Sequence, residues 1–482
     1  MAYNHGIRVE EQPTSWTQPV LGTAGLQVVF GTAPIHLAKD PSAVVNKPIL
    51  VYSFDEAREL LGYSEDFDSY TLCQSMFASF RLFRVAPVIF CNVLDPEVHR
   101  SVNASATYAV TMNQVVLPQN GIFPNSVVVK NAGVTLASDD DYVLSFNALE
   151  QLVVTLIVGG AGDGATTLEI ESVSIDPSAV TAADVIGGRD FATGKESGLE
   201  VVRQVYPTFG MTAGLILAPG WSHIPEVGAV IAEKSIEVNG VFRCENILDL
   251  DTNVATKYTE CKALKDDNGY NDKHSIVLWP MVSIRGKKYY YSAIYGALVA
   301  STDAANGNVP DRSPSNLLLG ITGACLDDGT EVVLDQTQAG VLNGGGIVTA
   351  LRNPQWKAWG NNTAAYPENK DPKDRWISCR RMFSWWGNSF LQTYNEKVDS
   401  PANNRLIESI IDAENVRGNT YVAQGKLAGA RMEYRKEDNT IDDILSGKLT
   451  FRQYLAPYVP AEDILNIIEF DPSMLETALG GE

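Results

Sequence analysis

The chain has 482 residues, with 37 Lys and Arg against 58 Asp and Glu, so its formal net charge is −21. Its sequence pI is about 4.7. This charge argues against DNA or an anionic membrane as the main partner. Hydrophobic residues make up 45% of the chain and charged residues 20%, as is typical of a folded globular protein. The length favours about two to four domains.

The ends and the cysteines indicate where the chain folds. Residues 1–13 lack a basic stretch followed by an apolar one, and no stretch approaches the roughly 18 apolar residues of a membrane span. We therefore expect a chain made and folded in a cytoplasm, without direct membrane binding. The six cysteines lie at least 17 positions apart, which favours buried free thiols over disulfides or a metal site.

The first hundred residues alternate between strand and helix patterns. Residues 26–32 are apolar and β-rich and predict a strand. Ser53 is a typical N-cap residue and predicts a helix over residues 53–61. Apolar residues recur at nearly a 3.6-residue period over 70–83, which predicts a second helix, and residues 85–93 return to a strand pattern.

The composition changes near residue 101. Residues 101–187 hold nine acidic residues and one basic residue, Lys130, and contain no Trp, Cys or His. Short β-rich runs separated by Gly, Asn and Asp turns predict a small all-β domain of the sandwich or barrel type.

After this block the alternation resumes. Strands are predicted over residues 213–218, 241–248 and 275–284, and helices over residues 225–234, 252–265 and 287–300. Residues 303–369 are rich in Gly, Asn, Asp and Pro and are predicted as long loops and hairpins. The pattern favours an α/β core, a mixed sheet with flanking helices, formed by residues 21–100 plus 188–370. The all-β domain 101–187 would be inserted into one of its surface loops.

Residues 371–461 predict a C-terminal α+β domain. A long aromatic helix is predicted over 373–397 and a second helix over 403–417. Strands are predicted over 448–457 and, beyond the domain, over 464–470.

Sequence motifs for catalysis are incomplete in this chain. The segment GRDFATGK has one residue too many for a phosphate-binding loop, and Glu196 replaces the magnesium-binding hydroxyl. The segment GAGDGA is followed by a strand pattern, where a dinucleotide site requires a helix. An EF-hand count that starts at Asp249 places Val254 where Gly is required. The five histidines show no metal-binding spacing. We expect no cofactor and no enzyme activity, although catalytic groups from distant segments can still assemble a site.

The two ends of the chain carry unpartnered strand patterns. Residues 6–10 alternate Ile7 and Val9 with charged residues. Residues 464–470 have apolar residues on both faces, in a segment, 462–482, with six acidic residues and no basic one. These apolar side chains are Ile464, Leu465, Ile467, Ile468 and Phe470. Both runs either complete sheets of their own domain or pair with strands of a neighbouring subunit.

Six segments in chain order carry a family resemblance: MAYNHGIRVEE, TAGLQVVFGTAP, LEVVRQVYPTFGMTAGLILAPGWSHIPEV, DRSPSNLLLGITG, WISCRRMFSWW and KLTFRQYLAPYVPAEDILNIIEF. Their order and spacing, with the β-rich block between them, resemble the tail sheath proteins of contractile bacteriophages and related particles. The resemblance spans nearly the whole chain, although each segment alone has low specificity.

This resemblance implies a structural subunit that stacks as hexameric rings around a tail tube and contracts when a baseplate triggers it. Partners would be further copies of the chain, the tube protein, and baseplate and terminator proteins, without nucleic acid. Residues 1–20 and 462–482 would be arms that pair with a neighbour's C-terminal domain. The receiving strand would lie over residues 448–455, with Leu449, Phe451 and Tyr454. The insert 101–187 would face outward, and the particle would be a virion tail or phage-like tail assembled in a bacterial cytoplasm.

A further hypothesis concerns the tube. Residues 373–397 hold five basic and two acidic residues in a chain of negative net charge. We expect this helix to present a basic face, with Lys373, Arg375, Arg380 and Arg381, to an acidic tube. The alternative is that these arginines pair within their own domain.

Two other classes of protein are compatible with parts of the sequence. A surface adhesin could carry a similar acidic β-rich insert, and an α/β enzyme could have a dispersed site. The sequence does not distinguish an infectious phage from a bacteriocin-like tail or an injection system.

Overall fold

The protein is described here from a computed structural model, which defines residues 20–21 and 24–480. The first part of the core, residues 20–21 and 24–92, contains five strands and four helices. Its strands are β1 Val20–Leu21, β2 Gln27–Gly31, β3 Pro48–Val51, β4 Val85–Ala86 and β5 Val88–Asn92. Its helices are the 3₁₀ helix Ile35–Leu37, α1 Phe54–Leu61, α2 Leu72–Met76 and the π-helix Phe77–Leu82. Ser53 caps α1 by accepting a hydrogen bond from the Glu56 backbone N–H, as predicted.

A β-rich block follows. Its strands are β6 Arg100–Ala109, β7 Gln114–Val116, β8 Val128–Asn131, β9 Val134–Thr135, β10 Tyr142–Phe146, β11 Leu152–Leu156 and β12 Thr167–Ile175. They form two sheets, in the orders β10-β11-β7 and β6-β12-β8-β9. The two sheets enclose their own apolar cluster, which includes Val115, Val129, Leu152 and Ile170. The block also contains the 3₁₀ helices Pro124–Ser126 and Pro177–Ala179 and ends at α3 Ala182–Ile186.

The core then continues to residue 359. Its strands are β13 Gly188–Arg189, β14 Glu196–Ser197, β15 Leu215–Leu217, β16 Glu245–Asp249, β17 Ser275–Leu278, β18 Met281–Ile284, β19 Lys287–Tyr289, β20 Gly323–Cys325, β21 Ile347–Arg352 and β22 Trp356–Trp359. Its helices are the 3₁₀ helix Gly198–Gln204, α4 Val205–Phe209, α5 Pro225–Ile236, α6 Cys261–Asp267, α7 Tyr291–Ala305 and α8 Gln336–Gly344.

The main sheet joins the two parts of the core. Within the described ranges it has eight strands in the order β22-β21-β17-β16-β15-β2-β5-β3. The six central strands run parallel, and the edge strands β22 and β3 are antiparallel. The central strands are almost completely buried, as is typical of a parallel sheet, and they carry buried polar residues such as Glu245 and Asp249 of β16 among their apolar ones. This is a mixed α/β fold.

The C-terminal part consists of helices and one antiparallel pair of strands. Its helices are α9 Pro372–Arg375, α10 Ile377–Tyr394, α11 Asn404–Ala423, α12 Ile441–Leu445 and α13 Pro472–Ala478, with 3₁₀ helices at Asn395–Lys397 and Lys436–Asp438. The strands β23 Leu427–Tyr434 and β24 Phe451–Pro457 pair antiparallel. Gly418 of α11 lies against Ala430 of β23, so close that a Cβ on Gly418 would be 2.8 Å from the Ala430 Cβ.

Several predicted elements differ from the structure. Residues 303–369 were predicted as long loops and hairpins. The strands β21 and β22 do form an antiparallel hairpin, but this hairpin belongs to the main sheet, and the helix α8 before it was not predicted. The predicted strand 275–284 is two strands in two sheets, on either side of Trp279 and Pro280. The helix predicted over 252–265 begins only at Cys261, because Asp251 and its neighbours form a turn in which the carboxylate accepts a bond from the Asn253 N–H.

Candidate assembly surface

The C-terminal tail, residues 458–480, is the most exposed part of the described chain. Residues 458–471 have no regular secondary structure, and 461–480 are all exposed. The five apolar side chains singled out in the sequence are between 73% and 85% exposed: Ile464, Leu465, Ile467, Ile468 and Phe470. The strand predicted over 464–470 therefore has no partner within its own described chain. An exposed apolar run of this kind marks a surface that is covered in an assembly.

The start of the tail is held in a fixed position. Arg375 donates a hydrogen bond from Nη2 to Glu462 Oε2 at 2.9 Å, and from Nε to Asn362 Oδ1 at 2.8 Å. Its guanidinium also lies 3.9 Å from the ring centroid of Trp376 and 4.4 Å from that of Tyr366. These contacts fix the place where the tail leaves the body of the protein.

The hairpin β23–β24 contains the predicted receiving strand. The predicted range 448–455 differs from the strand, Phe451–Pro457, by a few residues at each end, so Leu449 lies just before it. Among the described residues, each strand of the hairpin pairs only with the other. Both outer edges thus lack a described ladder partner, and such edges can accept a strand from another chain.

Side chains of β24 alternate between the two faces of the hairpin. Phe451, Gln453 and Leu455 are half-buried, whereas Arg452 and Tyr454 are exposed. Leu455 packs with the apolar cluster that Met382 and Trp386 of α10 form with Leu427, Val309 and their neighbours. The inner face of β24 is thereby supported by the helices, and the outer face is open to a partner.

The outer face of the hairpin carries arginine and tyrosine side chains, and each arginine pairs with an acidic residue, Glu433, Glu437 or Asp438. Arg431 lies 4.4 Å from the ring centroid of Tyr454, and Arg435 donates a hydrogen bond to the Tyr454 hydroxyl at 2.8 Å. Arg452 pairs with Asp438. This arginine cluster was not predicted, although the alternation of residues 449–455 in the sequence could have indicated that Arg452 and Tyr454 share a face.

The predicted basic helix requires a correction. Arg380 and Arg381 are 5% and 2% exposed, respectively. Arg380 donates to Asp374 at 2.9 Å, and Arg381 forms a two-bond ion pair with Asp303, which is fully buried. Burying a charge without a partner is costly, so these arginines pair inside the chain and do not present a basic face to a tube. Arg380 thus pairs within its own part of the chain, as the alternative predicted, whereas Arg381 pairs with Asp303 of the core.

The other two members of that set lie nearer the surface. Arg375 holds the start of the tail through Glu462, as described above. Lys373 is the most exposed of the four, with 36% of its side chain accessible, and it pairs with Asp374 at 2.7 Å. The four residues are therefore a structural group around Asp374, Asp303 and Glu462. The N-terminal arm residues Ile7 and Val9 lie outside the described residues.

Segments that resemble catalytic motifs have ordinary structural roles. The GRDFATGK segment is a β-hairpin turn in which Asp190 accepts bonds from the Ala192 N–H and the Thr193 hydroxyl. The GAGDGA segment is a turn between β11 and β12. No group of three or more His, Cys, Asp or Glu that could hold a metal ion occurs in residues 20–21 and 24–480. In the same residues, no helix is both long and apolar enough to span a membrane.

Comparison with known proteins identifies the class. The fold matches a chain in a cryo-EM structure of the anti-feeding prophage baseplate, with a TM-score of 0.59 and 15% identity over 98% of this chain and all of that one. It also matches the sheath complex of the PVC extracellular contractile injection system in its contracted state, with a TM-score of 0.56 and 15% identity over 98% of this chain and 99% of the other. The chain thus shares its fold with these two proteins.

Sequence comparison gives the narrower assignment. The chain is 24% identical to the tail sheath protein of Burkholderia phage BcepMu over 502 aligned positions, 99% of both chains. It is 22% identical to the tail sheath protein of Escherichia phage P2 over 65% of this chain and 74% of that protein. No family model matches. These similarities confirm the resemblance seen in the sequence: over nearly its whole length, the chain is similar to a phage tail sheath protein.

Proposed function

We propose that this sheath subunit polymerises as stacked hexameric rings around a tail tube and is stored in an extended, metastable state. Contraction would then drive the tube through a target cell envelope. The full-length similarity to phage tail sheath proteins supports this proposal. The shared fold with a contracted injection-system sheath is consistent with it. Contraction would be a change between two packings of the same subunits, without substrate turnover.

The observation that carries the proposal is the combination of an exposed apolar tail with a hairpin whose edges are unpaired. Residues 464–470 would add to β24 of a neighbouring copy as a further strand, so that backbone hydrogen bonds supply affinity. Each apolar side chain that becomes fully buried contributes roughly 1.5 to 3 kcal/mol. A tail donated in one direction is a heterologous contact, which propagates into rings or helices.

The hairpin has a second edge, along β23. The N-terminal arm, with Ile7 and Val9, would occupy that edge of a neighbour in the same way. Two donated strands and the hairpin would make a four-stranded sheet, which is more stable than a two-stranded hairpin alone. Such links would persist while the core parts of the subunits move relative to one another.

The same assembly would determine where the C-terminal domain and the β-rich block lie relative to the tube. The C-terminal domain, residues 371–461, would face the tube, and the β-rich block 101–187 would project outward. Partners would be the tube protein, the baseplate and the terminator, in a virion tail or a phage-like particle assembled in a bacterial cytoplasm. The anti-feeding prophage match supports a place near a baseplate.

Electron microscopy of purified protein tests the proposal. The full-length chain should form tubes or rings, whereas a variant that lacks residues 464–482 should remain a folded monomer. The truncation keeps Glu462, so the contact with Arg375 is retained. Leu149→Asn, at a position that is 75% exposed in the β-rich block, is a matched control that should still assemble. Compact monomers from both the full-length and the truncated chains would contradict the proposal.

A further inference from the structure

Gln453 of β24 has an unsatisfied amide. Its Nε2 and Oε1 atoms are both buried and have no hydrogen-bond partner in the described chain. Its neighbours on the same face of the strand, Phe451 and Leu455, are apolar, and so is Leu449 just before the strand. A buried amide without partners costs free energy, so it requires an explanation. Gln453 lies on a strand whose outer edge has no described partner.

The exposed tail has a matching pattern. In a strand over 464–470, one face carries Ile464, Ile468 and Phe470, with Asn466 as its single polar residue. This face therefore has the same composition as the inner face of β24, one amide among three apolar side chains. A carboxamide has both donors and an acceptor, so two facing carboxamides can satisfy each other.

One antiparallel register matches the two faces. When Asn466 lies opposite Gln453, every other pair on the inner face is apolar: Ile464 with Leu455, Ile468 with Phe451 and Phe470 with Leu449. A slip of two residues in either direction places both amides against apolar side chains. Register is specified in this way wherever one face of a strand is buried.

The arginines on the outer face of the hairpin already have acidic partners: Arg431, Arg435 and Arg452 pair with Glu433, Glu437 and Asp438 of their own chain. The choice of occupant therefore rests on the tail itself. Within its own chain the tail runs exposed from Glu462 and does not pair with its own hairpin. A second copy is the occupant that this exposed apolar tail and the match of the two amides favour.

We propose that the Gln453 amide, which is buried in the single chain, turns toward the open edge of β24 and hydrogen-bonds to Asn466 of another copy, and that this bond sets the antiparallel register of the donated strand. This inference rests on the proposed sheath function and specifies its intersubunit contact. Asn466 and Gln453 are positioning residues: they contribute specificity of register, and the apolar pairs around them contribute most of the affinity.

Disulfide trapping tests the register in the full-length chain. The six native cysteines are all buried, so an exposed engineered cysteine will react selectively under mild oxidation. Leu465→Cys in one population should cross-link to Tyr454→Cys in another when the two are mixed and assembled. Because each variant has one of the two cysteines, a cross-linked dimer reports a contact between copies. Cross-linking of Leu465→Cys to Arg452→Cys instead would indicate a parallel strand or an antiparallel strand slipped by two residues, and either would overturn the register.

A double-substitution series tests the amide pair. Asn466→Leu or Gln453→Leu alone leaves one amide facing an apolar side chain, and each should raise the critical concentration for tube formation about tenfold. The double variant has two leucines facing each other, so its critical concentration should return most of the way to that of the wild type. If either residue had only a structural role within its own chain, the second substitution would not restore assembly. Tubes from Asn466→Leu at an unchanged critical concentration would overturn the inference and leave the sheath function intact. A wild-type chain that never assembles would instead overturn the proposed function.

Discussion

The ion pair between Arg381 and Asp303 offers the sharpest test of how the C-terminal part is joined to the core. Arg381 lies on α10 and Asp303 on α7, and they are 2% and 0% exposed. Arg381 Nη1 donates to Asp303 Oδ1 at 3.0 Å, and Nη2 donates to the other oxygen. Burial raises the pKa of Asp303, and the positive charge of Arg381 opposes this rise. The carboxylate therefore depends on this guanidinium for its charged form.

Arg381→Met should lower the free energy of unfolding by about 3 to 5 kcal/mol, because it leaves a buried carboxylate unpaired. Urea unfolding of the chain without residues 464–482 measures this without interference from assembly, with the fluorescence of Trp385 and Trp386 as the probe. Arg431→Met is the matched control: the side chain of Arg431 is 62% exposed, so a change within about 0.5 kcal/mol is expected.

The companion substitution separates pairing from packing. Adding Asp303→Asn to Arg381→Met removes the unpaired charge and should restore part of the lost stability. If Arg381→Met left the unfolding free energy unchanged but abolished assembly on a tube, the side chain would have to face a partner, and the burial argument would be refuted.

Three further predictions follow from single sites. Asp249 is buried, and burial raises its pKa to about 6 despite bonds from Ser292 and Ser222. Its protonation therefore favours the folded chain: this contribution is fully present below pH 3.8 and is lost as the pH rises through 6. Asp249→Asn should accordingly raise stability by up to about 3 kcal/mol at pH 8 and by little at pH 4 in urea titrations; equal effects at both pH values would count against this. Gly418→Ala should destabilise the chain, because its Cβ would meet Ala430 at 2.8 Å. Gly387→Ala, in open space on α10, should instead stabilise the chain by up to about 1 kcal/mol. A higher melting temperature for Gly418→Ala than for Gly387→Ala would refute the packing argument. Ile468→Asn, at a side chain 85% exposed, should leave monomer stability unchanged and raise the critical concentration for assembly by at least tenfold, as sedimentation would show; unchanged assembly would mean that Ile468 is not buried between copies.

Local sequence patterns predicted the elements that depend on near neighbours. The Ser53 cap is present, and the helices predicted from residues 225 and 403 are α5, which begins at Pro225, and α11, which begins at Asn404. The β-rich block forms strands because its alternating runs and its turns are local signals. The place of β21 and β22 in the main sheet was not predicted, because a short, buried run in a Gly-rich stretch has no periodicity of its own. Such a run becomes a strand through its neighbours in the sheet.

The candidate assembly surface was also predictable only where it depends on short segments of sequence. The exposed apolar tail was predictable, because residues 464–470 have two apolar faces within an acidic segment. The partners of Arg380 and Arg381 were not, since Asp303 lies 78 positions away in sequence, and a local charge count cannot show which arginines are buried. The sequence by itself determined the acidic charge, the β-rich block, the resemblance to tail sheath proteins and the apolar tail, all of which are properties of composition or of short segments. Only the tertiary structure decided which charges pair inside the chain, which hairpin edges stay open and which amide lacks a partner, because these depend on groups that the fold brings together from distant positions.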